Sequence, residues 1–103
     1  MYKEEGFKEI DHTADVALQV WGKTLSILFY QAALGLYAIA GVRTKRDTIT
    51  RKAMHLEAED KEELLVNFLS ELLYQMNENR ILYKIETLVV DNNILEGKMA
   101  GKA

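Results

Sequence analysis

No cysteine and no proline occur among the 103 residues of this chain. Without thiols there are no disulfides, no thiolate zinc sites and no cysteine nucleophile, a composition that fits a reducing compartment. Without proline there are few rigid loops. Histidine is nearly as scarce, with only His12 and His55. The six glycines are scattered and form no phosphate-cradling loop, no dinucleotide-binding turn and no Gly-x-Ser-x-Gly elbow. A self-contained hydrolase or transferase site is hard to assemble from that inventory, which argues against an enzyme. A net charge of −3 supplies no global pull toward nucleic acid or an anionic membrane. The start, Met1-Tyr2-Lys3-Glu4-Glu5-Gly6, has no apolar core of the kind a signal peptide needs. The longest apolar stretch, Leu25 to Val42, is interrupted by Ser26, Tyr30, Gln31, Gly35, Tyr37 and Gly41, and reads as a buried helix rather than a membrane span. The expectation is a cytoplasmic chain with no membrane segment.

What is present suffices for one core. Hydrophobic residues make up 49% and charged residues 28%, an ordinary globular balance, and the length predicts a single domain over 1–103. Phe7 to Trp21 reads as extended structure, with Val16, Leu18 and Val20 alternating against Asp15, Ala17, Gln19 and Trp21. Thr24 is a suitable N-cap for a helix that is apolar nearly all round, hence buried on more than one side, with Gly41 as its stop. The basic stretch Arg43 to Lys52 runs into a strand with Met54, Leu56 and Ala58 inward and His55 and Glu57 outward. Asp60-Lys61-Glu62-Glu63 is an Asp form of the capping box. Behind it, Leu64, Leu65, Phe68, Leu69, Leu72, Leu73 and Met76 form an apolar stripe, with Gln75 among the residues turned away. Ile81 to Val90 and Ile94 to Ala100 are strands joined by a tight turn at Asp91-Asn92-Asn93, since Asn tolerates positive φ. The order strand, helix, strand, helix, hairpin predicts a two-layer α+β fold with helices packed on a mainly antiparallel sheet.

One cluster carries potential chemistry: Glu9-Ile10-Asp11-His12-Thr13-Ala14-Asp15, three carboxylates and an imidazole in seven residues. Hard cations take carboxylate oxygens, and a nearby His can serve a transition metal or orient a carboxylate. In one extended run Glu9, Asp11, Thr13 and Asp15 share a face and His12 takes the other. The plainer account, a hydrogen-bonded turn with solvated carboxylates, explains the spacing better when spacing is all there is. The basic run Arg43, Lys45, Arg46, Arg51, Lys52 has no interleaved aromatics for base stacking, so a solvated loop is favoured over an RNA surface. His55 beside Glu57 reads as an ordinary exposed-face pair, and Trp21 as a second packing layer or a contact surface.

Asp11-His12-Thr13-Ala14-Asp15, followed by Val16 to Gly22 and then Ala32-Ala33-Leu34-Gly35-Leu36, resembles the archease family. So does Leu56-Glu57-Ala58-Glu59-Asp60 followed by Leu64 to Tyr74. The resemblance runs roughly from Phe7 to Val90 and implies an archease-like fold. It also implies a function: a non-enzymatic, chaperone-like activator of an RtcB-type tRNA-splicing RNA ligase, which promotes that enzyme's guanylylation and multiple turnover. By the same resemblance Asp15 matches a motif aspartate that binds a divalent ion, calcium or similar. Asp11 and His12 are weaker candidates for the same site. The family completes its site with a C-terminal aspartate on a closing strand, for which a chain stopping at Gly101-Lys102-Ala103 has no counterpart. The expectations are therefore a C-terminally truncated domain and self-association through an exposed Ile81–Val90 strand. Direct nucleic-acid binding is not expected. Two alternatives stay open: a binding or scaffold module that has lost the activation function, and, less favoured, a metal-dependent hydrolase using the acidic cluster.

Overall fold

The computed structural model describes residues 5–11, 16–40, 49–78 and 81–102. In chain order the elements are β1 (Gly6–Asp11), β2 (Val16–Trp21), α1 (Leu25–Ala40), β3 (Ile49–Glu57), α2 (Lys61–Glu78), β4 (Leu82–Asp91) and β5 (Ile94–Lys102). The fold is α+β, two helices with antiparallel sheets. Among the described residues the strands form two hydrogen-bonded sheets, β1-β2 and β3-β5-β4. The chain falls into two compact units, Met1–Gly41 and Val42–Ala103.

In the first unit the extended run anticipated from Phe7 to Trp21 is two strands. β1 and β2 pair antiparallel from Gly6↔Trp21 to Asp11↔Val16. At the open end of the ladder the Trp21 ring lies on Gly6: a Cβ there would stand 2.7 Å from Cζ2 of the indole. Only a residue without a side chain permits that approach. Thr24 caps α1 as the sequence predicts, its Oγ1 accepting from the Ile27 N–H at 3.1 Å. The helix packs on β1 and β2 and buries Phe29, Ala32 and Ala33, while Leu34 and Ile39 are each 37% exposed. It is thus not enclosed all round, although its composition suggests that it would be. Gly41, the anticipated stop, lies outside the described residues.

The second unit lays α2 on the β3-β5-β4 sheet. Asp60 caps α2 by accepting the Glu63 N–H on Oδ1 at 2.7 Å. Leu64, Phe68, Leu72 and Met76 are buried on it, opposite Met54, Tyr83, Ile85, Val90, Leu95 and Met99. Two positions of the anticipated stripe differ. Leu73 is 40% exposed, and Gln75 is buried instead. Gln75 follows Phe68 by seven residues, two helical turns on the same side, whereas Leu73 sits across the helix from it.

β4 and β5 close on Asn92 (φ 50°) and Asn93 (φ 61°), a two-residue turn with both residues in the left-handed region. Asn93 also ties the turn to the β3–α2 connection: its carbonyl accepts the Ala58 N–H and its amide donates to the Glu59 carbonyl, both at 3.1 Å. β4 is irregular between Ile85 and Thr87. Tyr83 and Ile85 face inward before that bulge and Leu88 and Val90 after it. One extra residue reverses the odd–even alternation and keeps both halves of the strand on the core.

Candidate functional site

The acidic cluster straddles the end of the β1–β2 ladder. Asp11 is the last paired residue of β1 and its partner Val16 the first of β2. Glu9 is exposed on the same strand. His12, Thr13, Ala14 and Asp15 lie outside the described residues, so two of the three proposed metal ligands, His12 and Asp15, do as well. The single face anticipated for Glu9, Asp11, Thr13 and Asp15 required one unbroken strand; β1 ends at Asp11. Among the described residues no three His, Asp or Glu side chains gather as a cation centre would require.

The basic run divides between the two categories. Arg43, Lys45 and Arg46 lie outside the described residues. Arg51 and Lys52 belong to β3, on opposite faces of its sheet, and each meets a carboxylate of this chain. On the outer face Arg51 Nη1 is 2.7 Å from Glu86 Oε1. On the inner face Lys52 Nζ reaches Glu71 Oε1 of α2 at 3.1 Å, and the same oxygen accepts from the Gln75 amide at 3.0 Å. The Gln75 hydrogen bond first, and then Lys52, hold the Glu71 carboxyl below the usual carboxylate range, against the opposing effect of burial. Lys52 Nζ also lies 6.0 Å from the Tyr83 ring centroid, the outer limit of a cation–π contact. This cluster pins α2 to β3 and supplies the buried Gln75 with a partner. Its sequence signals are the i, i+4 spacing of Glu71 and Gln75 and the place of Lys52 in the inward register Lys52, Met54, Leu56.

The outer face carries the other described titratable group of interest. His55 pairs across the ladder with Glu96, with Nδ1 3.2 Å from Glu96 Oε1 and Nε2 3.4 Å from Glu57 Oε1. The Glu57 contact is the exposed pair the sequence predicts; the Glu96 contact needs the β3–β5 register. A shallow depression beside them is lined by His55, Glu96, Lys98, Thr87 and Val89. With a carboxylate against each ring nitrogen and no enclosed cavity, this face offers charge for contact rather than a site that excludes water. Among the described residues no helix is long and apolar enough to cross a membrane.

The sequence profile of the Archease protein family matches residues 7–103. Protein archease of Methanosarcina barkeri is 36% identical over 78 residues, covering 76% of this chain and 53% of that protein. Protein archease of Saccharolobus islandicus is 34% identical over 98 residues, 93% of this chain and 70% of that one. The chain thus spans about half the length of the Methanosarcina relative. The solution structure of Methanobacterium thermoautotrophicum protein 1598 superposes with a TM-score of 0.60 at 23% identity, covering 95% of this chain and 71% of that one. It supports the fold alone.

Proposed function

The chain belongs to the archease family, and from that membership we propose that it activates an RtcB-type tRNA-splicing RNA ligase, promoting the ligase's guanylylation and multiple turnover. The observation that carries this reading is the profile match over residues 7–103. On this reading the protein is a cytoplasmic accessory factor that acts on the ligase, and the bond-making chemistry stays with its partner. Direct RNA binding is not part of the reading, because Arg51 and Lys52 are each matched with a carboxylate of the chain itself, and a neutralised cation releases few counterions on meeting phosphate.

A divalent ion, calcium or similar, is proposed at Asp15 with Asp11 and His12 beside it. Carboxylate oxygens are the donors such a cation takes. When bound, the ion would supply positive charge that relieves repulsion among the motif's carboxylates. The contribution of the described chain is the β1–β2 ladder, which fixes Asp11 opposite Val16 at one end of the motif.

The test is a guanylylation assay of a cognate RtcB-type ligase with and without the chain, under single- and multiple-turnover conditions. Stimulation of repeated turnover that Asp15→Ala weakens is the expected result. A ligase that binds the chain yet is not stimulated would refute activation and leave a scaffold role.

A further inference from the structure

α2 is apolar on two sides. Its buried stripe, Leu64, Phe68 and Leu72 among it, faces the sheet. On the opposite side Val66 is 60% exposed, Leu73 40% and Tyr74 54%. Leu73 follows Val66 by seven residues and Tyr74 by eight, so the three share one face within about two turns, around the exposed Ser70. Apolar residues scattered singly over a surface are ordinary, whereas a contiguous group marks a contact site. Helix stability does not explain the group, because an exposed β-branched valine lowers helix propensity. The charge on this side of the helix has one sign. Glu62, Glu63 and Glu78 are exposed at its ends, and Lys61, in its first turn, is its one base. An acid in a last turn that holds no base opposes the helix dipole. We propose that this outer face of α2 docks a Lys/Arg-bearing segment with an apolar centre on the partner protein, which on the reading above is the RNA ligase.

Charge complementarity selects this occupant. Val66, Leu73 and Tyr74 bury against the apolar centre, and the tyrosine adds a large ring with a polar tip suited to an interface. Glu62 and Glu63 at one end and Glu78 at the other meet the partner's cations, which steers encounter and fixes the direction of docking. A second copy of the chain fits poorly. Two α2 helices packed face to face in parallel would set Glu62 beside Glu62. Packed antiparallel, they would set the Glu62-Glu63 end beside Glu78. Like charges are opposed either way. The same acidic ends repel nucleic acid.

Calorimetric titration of a cognate ligase with the full chain tests this, using two variants matched in residue, exposure and new charge. Val66→Lys gains Glu62 one turn before it, an i, i+4 pair that favours the helix. Val89→Lys replaces a valine of the same 60% exposure on β4 and gains Glu96 across the ladder. The expected result is a ligase affinity at least tenfold weaker in Val66→Lys and unchanged in Val89→Lys. Wild-type affinity should fall as salt is added, with a shallower slope in the Glu62→Gln/Glu63→Gln double variant. Equal weakening by the two lysines, or none by Val66→Lys, overturns the proposal; if Val66→Lys then still stimulates guanylylation, activation stands without this surface. Binding that Val66→Lys weakens, with no stimulation by wild type, refutes activation and keeps the surface. A salt slope unchanged in the double variant overturns the basic occupant. Self-association that Val66→Lys abolishes would put a second copy on this face and overturn it as well. A wild-type chain that does not bind the ligase overturns both readings.

Discussion

Three leucines of α2 provide a graded test of the packing described for the second unit. Leu72 is 0% exposed and Leu73 40% exposed, with Leu69 between them in burial. All three change to Ala within one helix, so the propensity term is the same and slightly favourable in each. The differences therefore isolate burial. Leu72→Ala removes fully buried methyl groups and leaves a cavity, a loss of about 2–5 kcal/mol. Leu69→Ala forfeits part of the transfer term, about 1–1.5 kcal/mol. Leu73→Ala should stay within about 1 kcal/mol. Against a total of roughly 5–15 kcal/mol for a small domain, the first of these moves the urea midpoint far and the last barely moves it. Far-UV circular dichroism is the assay to use. The lone Trp21 sits in β2 of the first unit, so its fluorescence follows that unit rather than the mutated helix. Comparing the two probes also tells whether the units unfold together. Leu73→Ala proving as damaging as Leu72→Ala would refute the orientation assigned to α2.

Glu71→Gln tests the Lys52–Glu71–Gln75 cluster through pH. The Glu71 carboxyl is depressed in the folded chain, so its contribution is present above the unfolded-state value and is lost as pH falls through the folded one. Wild type should therefore exceed the variant in urea stability near neutrality, and the gap should close in acid; a gap constant with pH would exclude the ion pair as its cause. Gly101→Ala would place a Cβ 2.7 Å from the Tyr83 ring, which lies over its cross-strand partner. Thermal melts should show a loss of about 1–3 kcal/mol from overpacking. Asp60→Ala and Thr24→Ala each remove a helix cap and should cost about 1 kcal/mol in urea titrations; no loss in either would mean that solvent satisfies those N–H groups equally well. Asp15→Ala should leave stability unchanged or improved and weaken calcium binding in calorimetry, since removing one of several neighbouring carboxylates relieves repulsion.

Local signals were legible in the sequence where the physics is local. The Thr24 and Asp60 caps depend on a side chain and an N–H three residues on, and both hydrogen bonds are present. The Asn92-Asn93 turn follows from the tolerance of Asn for positive φ. Features set by pairing were harder to read. Alternation runs across the Asp11–Asp15 break, so one strand and two strands leave the same pattern on either side of it. The bulge after Ile85 is invisible because Leu82, Ile85, Leu88 and Val90 give no single period. The polarity of Gln75 points it outward, although its angular position matches Phe68; its burial depends on Glu71 accepting its amide. For the candidate site, the motif Asp11 to Asp15 was visible as composition and order. Its geometry depends on His12 and Asp15, which lie outside the described residues.

The order β3-β5-β4 has a consequence for synthesis. The middle strand of the sheet, Ile94–Lys102, leaves the ribosome after both of its neighbours. β3 must therefore wait through the translation of α2 and β4 without its β5 partner, holding Met54 out of water only as well as a newly formed α2 can cover it. The β4–β5 hairpin, with its two-residue connection, closes quickly once complete, whereas joining β3 spans a much longer loop. Nascent chains arrested before Ile94 should remain open to protease at β3 and engage chaperones. Chains long enough to expose Lys102 should become resistant in a single step, because β5 is the strand that gives both of its neighbours a partner.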